Sequence, residues 1–400
     1  MSQEETLGSA FWVIVAAASL LLGVLLGVLV PLVAWAERKQ AALVGERPGI
    51  GRTAIAGVGL AGLFQPLADT LKLLSKRGPA STARFAPAWG PALVVIAAVL
   101  PFAAIPWSGR YTWGDTSFSL LLADVEGGIL YIFALAAVGG LATVWSGAAQ
   151  GGVGLIGAFR SAARGLSGDL ALLFSLLPML LIFGSLHLAE MVAWQDSGFS
   201  LFDLPVAFSA DASSPSASSP SASPLSASGP TWPAWGIFLN PPAFVLVLTA
   251  ASVRAGLPPF NAESADAELM GGTRSAHAGA SLGFFALAAR LQTILVAALL
   301  TLVFLGGWSI PWIPQATLVG GISEYLGDGV ANAICLGLHL ASFACKFVAM
   351  VFLQLMIRTS LPRLGYERSM DLCWKIILPA AFIDLALTAL VLNGLGGDLA

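Results

Sequence analysis

Charge is what this sequence has least of. Of its 400 residues 10% are Asp, Glu, Lys or Arg, where soluble domains carry about a quarter, and 57% are hydrophobic. Together with a mean hydropathy of +0.84, that scarcity excludes a soluble globule. A net charge of −3 gives no basic excess for neutralising nucleic-acid phosphates. Histidine and cysteine are equally scarce, three of each. His187, His277 and His339 have no carboxylate or cysteine at ligand spacing, so no metal site emerges. Cys335, Cys345 and Cys373 lack redox spacing and read as small buried hydrophobes within helices. No Gly-rich phosphate loop follows a strand, and no nucleophile stands beside a base.

Long apolar runs fill the space. Eight of them, each about 20 residues or more, lie near 10–35, 86–107, 126–148, 168–192, 233–254, 279–306, 330–357 and 373–394. The expected fold is an all-α polytopic membrane protein of about eight transmembrane helices, in a single membrane domain spanning 1–400. All but three of the 19 basic residues (Arg110, Arg290 and Lys346) fall in the first, third, fifth and seventh connections. That asymmetry places those connections in the cytoplasm and both termini outside, in a bacterial inner membrane. The first span reads as an anchor rather than a signal peptide, because its flank is acidic (Glu4, Glu5) and its apolar run is long.

Two segments between the spans stand out. Residues 208–230 are a Ser/Pro/Ala tract too polar to build a core, expected to be a disordered outer loop. Over 53–76, Leu60, Leu63, Phe64, Leu67, Leu71 and Leu74 recur at helical steps and give one apolar face. Asp69, Lys72 and Lys76 point elsewhere. This predicts an amphipathic cytoplasmic-side helix tucked against the bundle rather than lying only on lipid.

Ionisable groups at membrane depth are costly and tend to line a water or ligand cavity. They form four groups here. Glu37, Arg38 and Lys39 continue to Arg47, Gln65, Asp69 and Lys72. Asp124 and Glu126 precede the third span, with Arg160, Arg164 and Asp169 leading into the fourth. Glu263, Asp266 and Glu268 precede the sixth. Lys346 lies in the seventh, followed by Arg358, Arg363 and Tyr366.

The order of Glu37, Arg38, Lys39, Arg47, Gly49, Gln65, Pro66, Ala68, Asp69 and Lys72 resembles one family: the H subunit of proton-pumping NADH-quinone oxidoreductase, respiratory complex I. The likeness continues through ADVEGGILYI (123–132), RSAARGLSGDL (160–170), GSLHLAEMVAWQ (184–195) and FLGGW (304–308). It ends with RTSLPRLGYERSMDLCWKIILP (358–379), and covers roughly 15–395 apart from the Ser/Pro tract. The resemblance implies a membrane subunit of a translocating enzyme, without catalysis by the isolated chain. It would form the quinone-access tunnel at the junction with the peripheral arm and couple quinone reduction to proton translocation. Carried over by position, Glu37, Arg38, Arg47, Gln65, Asp69 and Lys72 would line the tunnel. Asp124, Asp169, Glu263, Asp266 and Glu268 would belong to the proton-coupling set. No cofactor would bind this chain; quinone is the substrate, and the iron–sulfur clusters and FMN belong to partner subunits. Its partners would be the peripheral-arm quinone-site subunits, small membrane subunits and lipid.

The chain departs from the family where the acids cluster. Family acids are replaced by Arg254, Asn261, Ser264 and Ala289, a family Glu is the shorter Asp169, and its neighbouring Tyr is Gly168. Arg290 sits beside Ala289. These changes open two further readings: a structural paralogue with weak coupling, and the membrane anchor of a related energy-converting hydrogenase. A freestanding transporter is disfavoured because no inverted repeat is apparent.

Overall fold

The structure is a computed structural model that describes residues 15–51, 61–76, 86–113, 116–148, 152–196, 198–199, 232–256, 260, 277–362 and 364–397. The Ser/Pro tract and Glu263, Asp266, Glu268 and Arg363 lie outside the described residues.

The apolar stretches fold as helices, in the expected places and with revised lengths. Helix α1 runs Val15–Val44, with a π-helical segment at Leu25–Leu29. It therefore extends past its apolar stretch and carries the polar residues from Glu37 onward on its last turns. A loop leads to α2 (Gln65–Ser75), the amphipathic helix. Helix α3 (Ala86–Val99) tightens into a 3₁₀ segment, Leu100–Ala104, where Pro101 removes a backbone donor. A hairpin follows, β1 (Arg110–Trp113) on β2 (Thr116–Ser119), pairing Tyr111 with Phe118. Then come α4 (Gly128–Ala148) and α5 (Gly152–Phe183).

Helix α5 starts well before the predicted 168 and stops at Phe183. Gly184, at φ 65°, breaks it, and the short α6 (Leu188–Gln195) resumes. Two-residue strands β3 (Gly198–Phe199) and β4 (Trp232–Pro233) pair across the gap. The turn α7 (Gly236–Leu239) leads to α8 (Pro241–Arg254), which starts cleanly because Asn240 Oδ1 accepts from the Ala243 amide at 3.0 Å. The remaining helices are α9 (Ala280–Phe304), α10 (Gln315–Leu326), α11 (Asp328–Ser360) and α12 (Tyr366–Gly394).

Six of these helices are long and apolar enough to cross a membrane, and two shorter apolar ones, Trp89–Ala104 and Pro241–Arg254, supply the other predicted positions. At 1.5 Å per residue, α8 is only about 21 Å long and ends short of a hydrocarbon core of about 30 Å. The chain is a multi-pass membrane protein. Its centre is α9, whose second half is buried almost without interruption from Leu291 to Phe304. Thr293 and Thr301 sit in that dry core by returning their hydroxyls to the carbonyls of Ala289 and Ala297. Helices α1, α2, α3, α8 and α11 pack around it. The outer faces of α1, α4, α11 and α12 expose large apolar side chains such as Leu20, Leu141, Phe352 and Leu390, which suits a hydrocarbon solvent. Cys335 and Cys373 are buried as expected, but Cys345 is exposed. It lies on an outward face of α11, next to the inward-reaching Lys346.

Candidate functional site

Glu37 and Arg38 are neighbours on α1, and successive helical residues point about 100° apart. They consequently meet different partners. Arg38 reaches Asp69 on α2 at 2.6 Å, and Glu37 reaches Arg358 on α11 at 2.7 Å. Glu37 is the most enclosed of the four, with 13% of its side chain accessible. Two ion pairs thus tie α2 and α11 to the polar end of α1.

Past these pairs the chain turns sharply. The Arg47 amide donates to the Ala42 carbonyl at 2.8 Å, closing α1. The indole of Trp35 donates to the Ala61 carbonyl at 3.0 Å, which fixes the entry to α2. Gly62 has φ 79°, and a Cβ there would stand 2.3 Å from Ile50, so only glycine fits. The loop residues Pro48 to Gly51 then line a cleft of about 950 Å³ into which Arg38, Arg47 and Gln65 contribute. Three of the six residues assigned to a tunnel therefore line one cleft. Glu37 and Asp69 make the ion pairs beside it. Lys72 does not line it, and stands exposed on α2.

The predicted apolar face of α2 is only partly covered. The helix lies against α1 and α9, with Leu73 and Leu74 close to Gly283, yet Phe64, Leu71 and Leu74 stay largely exposed.

A second polar centre lies deeper, where α8 ends against α5. Arg254 Nε donates to Asp169 Oδ1, and both side chains are well buried. Arg164 donates to the Val253 carbonyl. The crossing is tight because residue 168 is glycine: a Cβ there would lie 2.9 Å from the Arg254 Cα. Beside this pair is a cavity of about 560 Å³, walled by apolar and small residues of α4, α5 and α9, with Thr143, Ser161, Arg164, Asp169, Arg254 and Gln292 as its polar lining.

Asp124 is elsewhere. It contacts His187 and lies 3.5 Å from Arg110, in the hairpin end of the molecule. By helical rise, Asp169 is about 20 Å from Phe183, where that end begins. Among the described residues the two acids of the coupling set do not meet.

Other polar groups stand outside the predicted tunnel and coupling sets. Lys346 donates to the carbonyls of Gly307 (3.2 Å) and Ser309 (2.5 Å) and lies 4.5 Å from the centre of the Trp235 ring. Nearby, Asp196 accepts from the Gln315 amide at 2.9 Å, and burial raises its carboxyl above the usual range. The Tyr111 hydroxyl meets His339 Nδ1 at 2.5 Å, and burial pushes the phenol upward. His277 Nε2 lies 3.0 Å from the Ser146 hydroxyl, and burial lowers the imidazole below its ordinary value. On α12, Asp384 and Thr388 both accept from the Asn240 side-chain amide at 3.2 Å. Lys346, His339 and Asp384 show in the sequence as lone polar residues in apolar helices, whereas Tyr111 on β1, Asp196 and Asn240 at helix ends and His277 before α9 carry no such signal. Among the described residues, no three His, Cys, Asp or Glu side chains come together in a way that could hold a metal.

A family profile described as NADH dehydrogenase matches residues 16–389. Relatives carry the name of the H subunit of NADH-quinone oxidoreductase. The one from Thermomicrobium roseum is 32% identical over 94% of this chain and 95% of its own length. That from Bdellovibrio bacteriovorus is 29% identical, over 91% and 92%. That from Flavobacterium psychrophilum is 28% identical, over 90% and 91%.

Proposed function

This chain belongs to the NADH dehydrogenase family, and we propose that it admits quinone from the bilayer to a NADH-quinone oxidoreductase through the cleft between α1 and α2. The observation that carries the reading is the convergence of Arg38, Arg47 and Gln65 on one cleft, with ion pairs holding its walls. Guanidinium and amide N–H groups donate to carbonyl oxygens, which is what a quinone head offers. Glu37 and Asp69 fix the arginine positions, and Lys72 adds positive charge on the outer face of α2. The basic end faces the cytoplasm of a bacterial cell, both termini lie outside, and the redox cofactors sit in partner subunits of the peripheral arm. Coupling to proton translocation would draw on Asp124, Asp169, Glu263, Asp266 and Glu268, so catalysis belongs to the assembled complex.

Arg47→Gln tests the tunnel. In the assembled complex, kcat/KM for quinone should fall about five- to tenfold, as expected for one lost charge-assisted hydrogen bond. Electron transfer from NADH to a water-soluble acceptor should not change. An unaltered kcat/KM for quinone would remove the cleft from the path.

A second reading, an anchor and tunnel with weak proton coupling, is favoured by one observation. Asp169 is committed to Arg254, and Asp124 lies at the far end of the bundle. A carboxylate in a buried ion pair gives up its place in a proton relay unless the pair opens.

A further inference from the structure

We propose that Trp35 is the positioning residue of the cleft between α1 and α2, its indole N–H holding a left-handed turn that sets two of the cleft's three walls. What passes the cleft is the quinone of the function proposed above, on which this assignment rests. The walls are α1 (Arg38, Ala41, Ala42), the loop from Arg47 to Gly51, and Gln65 at the start of α2. The turn at Ala61 and Gly62 touches the second and the third. A Cβ on Gly62 would meet Ile50 at its Cγ2, 2.3 Å away, and at its carbonyl carbon, 3.1 Å away, so the turn rests directly on the loop. On the other side, the Gly62 carbonyl accepts from the Gln65 amide at 3.1 Å as α2 begins. Where this turn goes, Ile50 and Gln65 go with it.

The turn does not hold itself. Gly62 takes its φ of 79° freely, but Ala61 has φ 49°, a left-handed conformation in which its Cβ crowds the backbone. Glycine visits that region because it has no Cβ, and Asn or Asp because a short polar side chain bonds locally; alanine has neither means. Ala61 is also exposed, so no packing around its methyl group confines it. Among the described residues, the side chain that bonds to it is Trp35, whose indole donates to the Ala61 carbonyl at 3.0 Å. Trp35 stands one turn before Arg38 on α1, and the two reach α2 at two levels. Trp35 takes the turn that precedes α2, and Arg38 takes Asp69, one turn inside it. An ion pair alone fixes α2 at one point and lets it pivot; the indole adds the second point, which sets Gln65. Tryptophan suits the place, with a ring for apolar surroundings and a single N–H that finds a partner.

The test uses the assembled complex carrying Trp35→Phe, which keeps a ring at the position and removes the N–H. It is made alone and together with Ala61→Gly, which makes the left-handed turn easy without any partner. Two quantities are read: hydrogen–deuterium exchange over residues 61–70, and kcat/KM for quinone. Trp35→Phe should speed the exchange about three- to fivefold and lower kcat/KM by a similar factor, as for one lost neutral hydrogen bond. Adding Ala61→Gly should restore most of both, which a residue serving only as packing would not allow. Unaltered exchange in Trp35→Phe overturns the proposal, as does a loss that Ala61→Gly leaves in place. Faster exchange that Ala61→Gly reverses, with quinone kinetics unaltered throughout, upholds Trp35 as the holder of the turn and removes the cleft from the quinone path instead. If Trp35→Phe does not assemble, the double variant should, and failure of both overturns the proposal.

Discussion

At the scale of single residues, neighbours in sequence have been sent to unrelated tasks. Glu37 holds α11 while Arg38 holds α2, and Cys345 faces outward while Lys346 reaches in to the turn after α9. Titration gives one such residue a measurable signature. His277 is buried against Ser146 and Phe285, and burial lowers its imidazole from the ordinary value of 6.5. The folded chain prefers the neutral ring, and the unfolded chain takes up a proton below 6.5. The stability contributed is therefore complete above that pH and is lost as pH falls from it toward the lowered folded value. His277→Gln keeps a partner for Ser146 and cannot charge. Thermal unfolding of the assembled complex between about pH 7 and pH 5 should show a shallower acid loss in the variant. Identical slopes would mean that His277 does not titrate in this window.

At the scale of elements, tightness is concentrated where α5 crosses α8. Asp169 and Arg254 can meet only because the backbones approach over Gly168. Gly168→Ala should force the helices apart, at the 1–3 kcal/mol or so typical of an overpacked contact, and lower the thermal midpoint of the complex. Gly165→Ala, one turn earlier with open space at its Cβ position, is the matched control and should have little effect. Equal effects would show that the crossing tolerates a methyl group.

The same element shows what the sequence could and could not reveal. Among the described residues hydropathy located the six long apolar helices and the two shorter ones but not α10, because a long run of such residues in so uncharged a chain has few other uses. It could not reveal that α5 breaks at Gly184, since GSLHL remains apolar enough to read as helix. Nor could it show that α1 carries its polar residues on continuous helix, because charge near a membrane surface suits loop and helix equally. Of the residues named from the motif order, Arg38, Arg47 and Gln65 line one cleft. The partners Arg358 and Arg254 lie hundreds or tens of residues from their acids, and no local pattern joins them.

At the scale of the whole molecule, the polar groups separate into a basic end and a hairpin end. Among the described residues, the acids expected to act together are split between a buried ion pair and the far end. Vesicles carrying the assembled complex decide what this means. If the acids outside the described residues complete a working set, NADH-driven quinone reduction should be accompanied by lumen acidification, and an uncoupler should abolish only the latter. Quinone reduction without acidification would leave the chain as anchor and tunnel.

The enclosure of α9 also dictates an order of events during synthesis. Its walls come from both sides of it in the chain: α1, α2, α3 and α8 are made before it, and α11 after. Contacts so distant in sequence form late and slowly. A nascent chain that has just delivered Phe304 thus holds the helix destined to be its most buried span with one flank open. That flank closes only when α11 arrives, so translation arrested between the two should yield the form of this protein most exposed to quality-control proteases.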